Sequence, residues 1–345
     1  MKEFGKKELS ETYCPLPFNH LYVSEKGEVK PCCVSKGFKS KPNVNIQDLD
    51  TIYNSKDFIS LRQSLTSNKK PSICNICWEQ EAVNADSHRL RNIREYKNQS
   101  PSITLRDSKV VEVQFEDLDI RFSNICNLKC VMCSPESSHL HNDGVIVKIK
   151  DGFIDDLKPK LKYLKRIYFA GGEPLIMDEH YEILDYLSRV NNKVKIIYST
   201  NLQILEKGKY KVLELWSRFE EPPHVAVSCD GLYELGEKIR VGFSTEKLVK
   251  NVKLLEKNKI PLTISHTTGT YNALEIPLFI RQIRELGIKS NITFQNYVQY
   301  PYKFSVQSLD IKVKEQVANN LRALGSHTEE FNYLIKYMFE TKNVI

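Results

Sequence analysis

The 345-residue sequence has no long apolar run. Its longest, such as Arg166–Ala170 and His224–Ser228, fall far short of the ~20 residues a membrane-spanning helix needs, so no membrane association is expected. The opening residues, MKEFGKKELS, contain no apolar stretch; no secretory signal is read there, and a cytoplasmic location is expected. Glycine and proline number only 14 each, which excludes collagen-like and low-complexity chains. Charge of one sign is also scarce: 50 Lys and Arg face 43 Asp and Glu, and the net +7 is spread along the chain. Nucleic-acid binders concentrate their basic charge, so no nucleic-acid partner is expected.

The length suggests about two domains, and with 41% apolar residues the chain can bury a core without disulfides. It does have nine cysteines, at 14, 32, 33, 74, 77, 126, 130, 133 and 229. Grouped thiols in a chain without an export signal point to metal rather than to cross-links.

Residues 1–82 are turn-rich and hold Cys14, Cys32, Cys33, Cys74 and Cys77. Leu21–Val23 and Glu28-Val29 flank a Gly27 turn and predict a hairpin. Ile46 to Leu65 reads as a helix with Asp48, Asp50 or Asn54 as caps, and 79–98 as a polar helix whose Arg89, Arg91 and Arg94 look like solubilising charges. Residues 83–115 are taken as a helical linker. From 116 to 303, six β-rich runs (118–123, 166–170, 194–200, 224–229, 262–267 and 291–295) alternate with helical patterns such as 179–190 and 244–257, the latter capped by Ser244. That alternation predicts an α/β fold with a parallel sheet, a partial (β/α)6 TIM-type barrel. In such barrels the chemistry sits just beyond the strand C-termini. Residues 304–345 read as a C-terminal helical extension.

Directly after the first of these strands come Cys126, Cys130 and Cys133, spaced C-x3-C-x2-C. Thiolates suit iron–sulfur clusters or zinc, and three of them leave one corner of a cubane without a protein ligand. The segment resembles the signature of radical SAM enzymes. The resemblance covers about residues 116–300 and implies a [4Fe–4S] cluster on Cys126, Cys130 and Cys133. It also implies S-adenosylmethionine on the open iron and cleavage to a 5′-deoxyadenosyl radical that abstracts a substrate hydrogen. One departure is Met132, where the family usually has an aromatic residue before the third cysteine.

After the second strand, Gly171-Gly172-Glu173-Pro174 resembles the family's GGE motif, which binds the cofactor's amino group. Paired glycines let a ligand approach the backbone, although most such pairs are only turns. The third strand ends at Thr200-Asn201 and the fourth at Ser228-Cys229-Asp230, polar positions suited to ribose and carboxylate contacts. In relatives with S-x-D-G, the Ser and an Arg twelve residues on contact the cofactor; Ser228 and Arg240 stand at that spacing. An Arg fork matches a carboxylate, but Arg240 also reads as a solvated helix residue and Asp230 as a turn cap. Asn272 matches an Asn the family often places near adenine. His266 reads as an interior histidine as easily as a ligand, Cys229 more as a small buried residue than as a catalytic thiol, and Tyr297, Tyr300 and Tyr302 more as packing than as a substrate mouth.

Cys14, Cys32-Cys33 and Cys74-x2-Cys77 suffice for Zn(Cys)4 or a fully ligated second [4Fe–4S] cluster. Their setting resembles the SPASM/twitch auxiliary modules of the same enzymes, here placed before the barrel instead of after it. The ligands expected are Cys14, Cys32, Cys74 and Cys77, with Cys33 as substitute for Cys32. The resemblance implies oxidoreductase-type chemistry on a peptide or protein side chain and a flavodoxin- or ferredoxin-type electron donor. A small-molecule (sugar or alcohol) dehydrogenase and a non-catalytic zinc-binding interaction protein are the alternatives.

Overall fold

Among the strands of the described residues, those that position the site are β1 (His20–Val23), β2 (Val29–Lys30), β3 (Asp117–Ile120), β4 (Lys129–Cys130), β5 (Arg166–Phe169), β6 (Lys195–Thr200), β7 (His224–Ser228), β8 (Arg240–Val241), β9 (Leu262–Thr268) and β10 (Asn291–Tyr297). The computed structural model describes residues 10–82, 86–96, 105–106, 109–110 and 113–340. Eight strands form one sheet in the order β2-β1-β3-β5-β6-β7-β9-β10, and β4 pairs separately with β8. The six expected strands are all present and parallel, each beside the next, as the partial (β/α)6 barrel requires.

Alternation explains why these runs are strands. In β6, Ile196, Tyr198 and Thr200 are buried under the helical layer, while Ile197 and Ser199 face the lumen half-buried. The crossover helix after β5, Asp178–Val190, answers with a stripe of His180, Tyr181, Ile183, Leu184 and Leu187. Each such Leu or Ile contributes about 1.5–3 kcal/mol on burial. No helix among the described residues is long and apolar enough to cross a membrane.

The N-terminal segment differs from expectation in three ways. The hairpin forms, with Gly27 at φ +77° in its turn, but β1 also pairs in parallel with β3, His20 opposite Asp117 through Val23 opposite Ile120. The Cys-bearing segment is therefore continuous with the barrel sheet. The helix expected over 46–65 is two, α1 (Leu49–Tyr53) and α2 (Lys56–Thr66): Asp48 caps the first, and Ser55 starts the second by accepting from Phe58 N–H. The helix expected over 79–98 is also two, α3 (Asn75–Ala82) and α4 (His88–Tyr96); Ser87 accepts from Leu90 N–H at the start of α4, and 83–85 and 97–98 lie outside the described residues.

α4 lies under the barrel floor. There Arg166 bridges Asp117 and Glu95, and Tyr96 donates to Asp117. At the far edge, α6 (Thr328–Phe339) covers β10, and α5 (Ile311–Ala323) packs against α6. Glu330 accepts from Thr293 Oγ1 and Phe294 N–H, and Phe331 packs on Phe294. The C-terminal segment thus shields an open sheet edge.

Candidate functional site

The loop leaving β3 carries the cysteine triad. Cys126 and Cys130 are buried and Cys133 half-buried. Two histidines hold the loop: His139 Nδ1 accepts from Cys126 N–H at 3.3 Å, and His141 Nε2 donates to the Cys130 carbonyl at 2.8 Å. Cys130 lies opposite Arg240 in the β4–β8 ladder. A hydrogen bond from the Cys133 thiol and the nearby Arg240 lower the Cys130 thiol below its ordinary value, against the effect of burial; Cys133 itself is raised. Burial pushes Cys126 up to about 12.

The glycine pair after β5 clamps this loop. Gly172 N–H donates to Ser123 O (3.1 Å) and Glu173 N–H to Ile125 O (2.8 Å). A Cβ on Gly172 would lie 2.0 Å from the Ile125 carbonyl oxygen, so the close approach that demands glycine here is made by the cysteine loop. Gly171 has φ +111°. The Glu173 carboxylate is buried and accepts from Thr200 Oγ1 (2.6 Å), Asn201 N–H (2.7 Å) and Leu175 N–H (3.1 Å). Burial pushes its pKa up. A carboxylate has about four acceptor positions, so one remains for an ammonium group. Asn201 reaches back to Asn127 of the triad loop at 2.8 Å. Pro174 opens the short helical turn after Glu173.

Arg240 is not solvated. Its side chain is 11% exposed, paired with Asp230 through Nη2 at 2.7 Å, and its Nη1 lies 3.7 Å from Cys130 Sγ. Asp230 also accepts from Thr267 N–H at 2.8 Å. Ser228 is half-buried at the end of β7. Asn272 is buried; its amide donates to Asp230 O beyond β7 and to Thr267 O in β9, and its carbonyl accepts from Gly269 N–H. His266 packs between Phe279 and Phe294, and burial holds it neutral, down to about 4. Cys229 is buried, donates to Gly231 O, and is pushed up to about 12 by burial. Tyr297 stacks on Tyr337, whereas Tyr300 and Tyr302 are exposed. Sequence reasoning passed over Tyr271, whose buried hydroxyl has no partner and lies within electrostatic reach of Asp230, Arg240, Cys130 and Cys133.

The N-terminal thiols form a second group. Cys14, Cys32, Cys74 and Cys77 line one cavity with Trp78 and Arg89. Cys33 points away, beside Asp119 and Arg121. Burial is the main cause raising all four cavity thiols, with Cys14 and Cys74 at about 12. Repulsion among the sulfurs adds to it for Cys14, Cys32 and Cys74, so a metal cation among them favours the thiolates. Among the described residues no three metal-ligating side chains meet at a single-ion site; the thiols surround a space instead.

A model of the radical SAM superfamily matches residues 120–283, and one of an iron–sulfur cluster-binding domain, SPASM, matches residues 14–78. Residues 120–283 are a radical SAM domain, preceded by a SPASM-type module over 14–78. This radical SAM chain is 27% identical over 216 residues to a "Probable GTP 3′,8-cyclase" of Methanococcus aeolicus, across 59% of its own length and 67% of that protein. It is 27% identical to a GTP 3′,8-cyclase of Listeria monocytogenes, across 52% of its length and 53% of that protein. Among solved structures, anSMEcpe with bound AdoMet aligns at TM-score 0.46 and 19% identity, over 60% of this chain and 57% of that one. Streptococcus suis SuiB bound to S-adenosylmethionine aligns at TM-score 0.46 and 16% identity, over 74% and 58%. The chain thus spans between about half and two thirds of the proteins it matches. As a radical SAM enzyme it uses S-adenosylmethionine and [4Fe–4S] clusters, and its two all-thiol donor sets suit such clusters.

Proposed function

We propose that this radical SAM enzyme oxidises a side chain of a peptide or protein in the cytoplasm, with Cys126, Cys130 and Cys133 holding the cofactor-binding cluster and Cys14, Cys32, Cys74 and Cys77 an auxiliary one. The observation that carries the reading is the cavity lined by four thiols, two buried and two half-buried, on a segment whose β1 is hydrogen-bonded to the first barrel strand. A fully ligated cluster has no open iron for substrate, so its use is to carry an electron, which suits an oxidative outcome. When bound, the first cluster and S-adenosylmethionine supply a radical that removes a hydrogen atom from substrate.

The chain's own residues do the rest. Gly171, Gly172 and Pro174 shape the loop against the triad. Glu173 offers its remaining acceptor position to the cofactor's ammonium group, fixed by Thr200 and Asn201. Arg240, held by Asp230, keeps positive charge beside the Cys130 sulfur. Ser228 is placed for a polar contact at the strand end, and Asn272 holds the adjoining loop. A flavodoxin- or ferredoxin-type protein is the proposed electron donor.

Anaerobic reconstitution followed by iron counting tests this reading. About eight irons per chain are expected, about half of them lost in a Cys126→Ala, Cys130→Ala, Cys133→Ala variant along with all 5′-deoxyadenosine formation. Persistent 5′-deoxyadenosine in that variant contradicts the assignment. A nucleotide substrate is the second reading, favoured by the sequence similarity to GTP 3′,8-cyclases. Turnover with GTP, and none with peptide pools from the host, decides for it.

A further inference from the structure

The polar run 86–96 reads as a solvated helix, yet the Arg89 side chain is only 9% exposed. Its Nε and Nη2 donate to Glu81 at 2.9 and 2.6 Å, and its Nη1 donates to the carbonyls of Tyr13 (2.7 Å) and Glu11 (3.1 Å). The guanidinium lies 4.9 Å from the centroid of the Trp78 ring. Tyr13 precedes Cys14 and Trp78 follows Cys77, so one side chain ties two thiol-bearing segments and lines their cavity.

Reduction adds a negative charge to a cluster, and the potential follows the charges, hydrogen bonds and solvent around it. A buried cation is screened little by salt. We propose that Arg89 is a positioning residue that raises the reduction potential of the auxiliary cluster, with Glu81 acting in the opposite sense as its counter-charge. The inference rests on the reading that Cys14, Cys32, Cys74 and Cys77 hold that cluster.

The test uses the full chain carrying Cys126→Ala, Cys130→Ala and Cys133→Ala, so that only the auxiliary cluster is present, with redox titration followed by EPR. Arg89→Met shifts the midpoint to more negative potential, Arg89→Lys shifts it less, and Glu81→Gln shifts it to more positive potential. Opposite signs are the mark of electrostatic control, since mere loosening of the cavity moves both variants alike. Unchanged potentials, or shifts of the same sign at both positions, overturn the inference. If Arg89→Met fails to hold iron, Glu81→Gln decides alone: a positive shift supports the proposal, and no shift or a negative one overturns it. If the background protein binds no iron, the cluster assignment fails instead.

Discussion

Asp230 accepts a hydrogen bond from Arg240 Nε at 2.8 Å and forms an ion pair with its Nη2 at 2.7 Å. The pair links the end of β7 to the β4–β8 ladder, and so ties the strand-end loops of the barrel to the cysteine triad. The same guanidinium faces Cys130 Sγ, so a thiol sulfur and a carboxylate share one cation.

Arg240→Met leaves the fully buried Asp230 carboxylate without its ion-pair partner. Loss of one member of a buried pair costs about 3–5 kcal/mol. Arg240→Lys keeps the charge but not the fork, and its loss is smaller. Denaturant unfolding of the metal-free chain reads both values. Equal stability in all three proteins contradicts a shared-cation role.

Gly172→Ala forces a methyl group to within 2.0 Å of the Ile125 carbonyl oxygen, a backbone atom that cannot swing aside. The triad loop must move, and reconstituted iron is expected to fall from about eight to about four per chain. Gly208→Ala, where a Cβ meets nothing within 4 Å, serves as control, though its φ of +57° carries its own modest strain. Full iron loading of Gly172→Ala refutes the clamp.

The six barrel strands and the triad were legible because their signals are local: alternating β-rich runs and a cysteine spacing that closes within one loop. What was not legible depends on distant partners. β1 pairs with β3 across nearly a hundred residues, and nothing in His20–Val23 names Asp117–Ile120 as neighbour. Arg89 looks like any charge on a polar helix until Glu81 and the Tyr13 carbonyl are seen around it. Gly172 suggested a ligand approach, whereas its close neighbour is Ile125 of the chain itself. The helix breaks at Ser55 and Ser87 were missed because a single capping hydroxyl is a weak signal inside a helical pattern.

Phe331 is 2% exposed, and α6 presents it to Phe294 in β10. Phe331→Ala is expected to cost about 3–5 kcal/mol. Because α6 covers the sheet edge, amide exchange in Asn291–Tyr297 should accelerate more than in central β6. Uniform acceleration across both strands would show global loosening and remove the edge-covering role.

His266 provides a test of pH dependence. Burial holds its pKa at about 4, against 6.5 for a free histidine. The unfolded chain therefore takes up a proton before the folded one does, and the stability gained from a neutral ring is present above pH 6.5 and lost as pH falls toward 4. One such group contributes a slope of about 1.4 kcal/mol per pH unit across that window. Gln cannot take up the proton. His266→Gln should be less stable than wild type at pH 7.5, since it disturbs packing against Phe279 and Phe294. The gap should narrow at about that slope between pH 6 and pH 4.5. His180, held at about 3 by burial, is present in both proteins, so its contribution cancels from the difference. A gap that stays constant with pH means that the ring is charged in the folded protein or that its proton is taken up equally in both states.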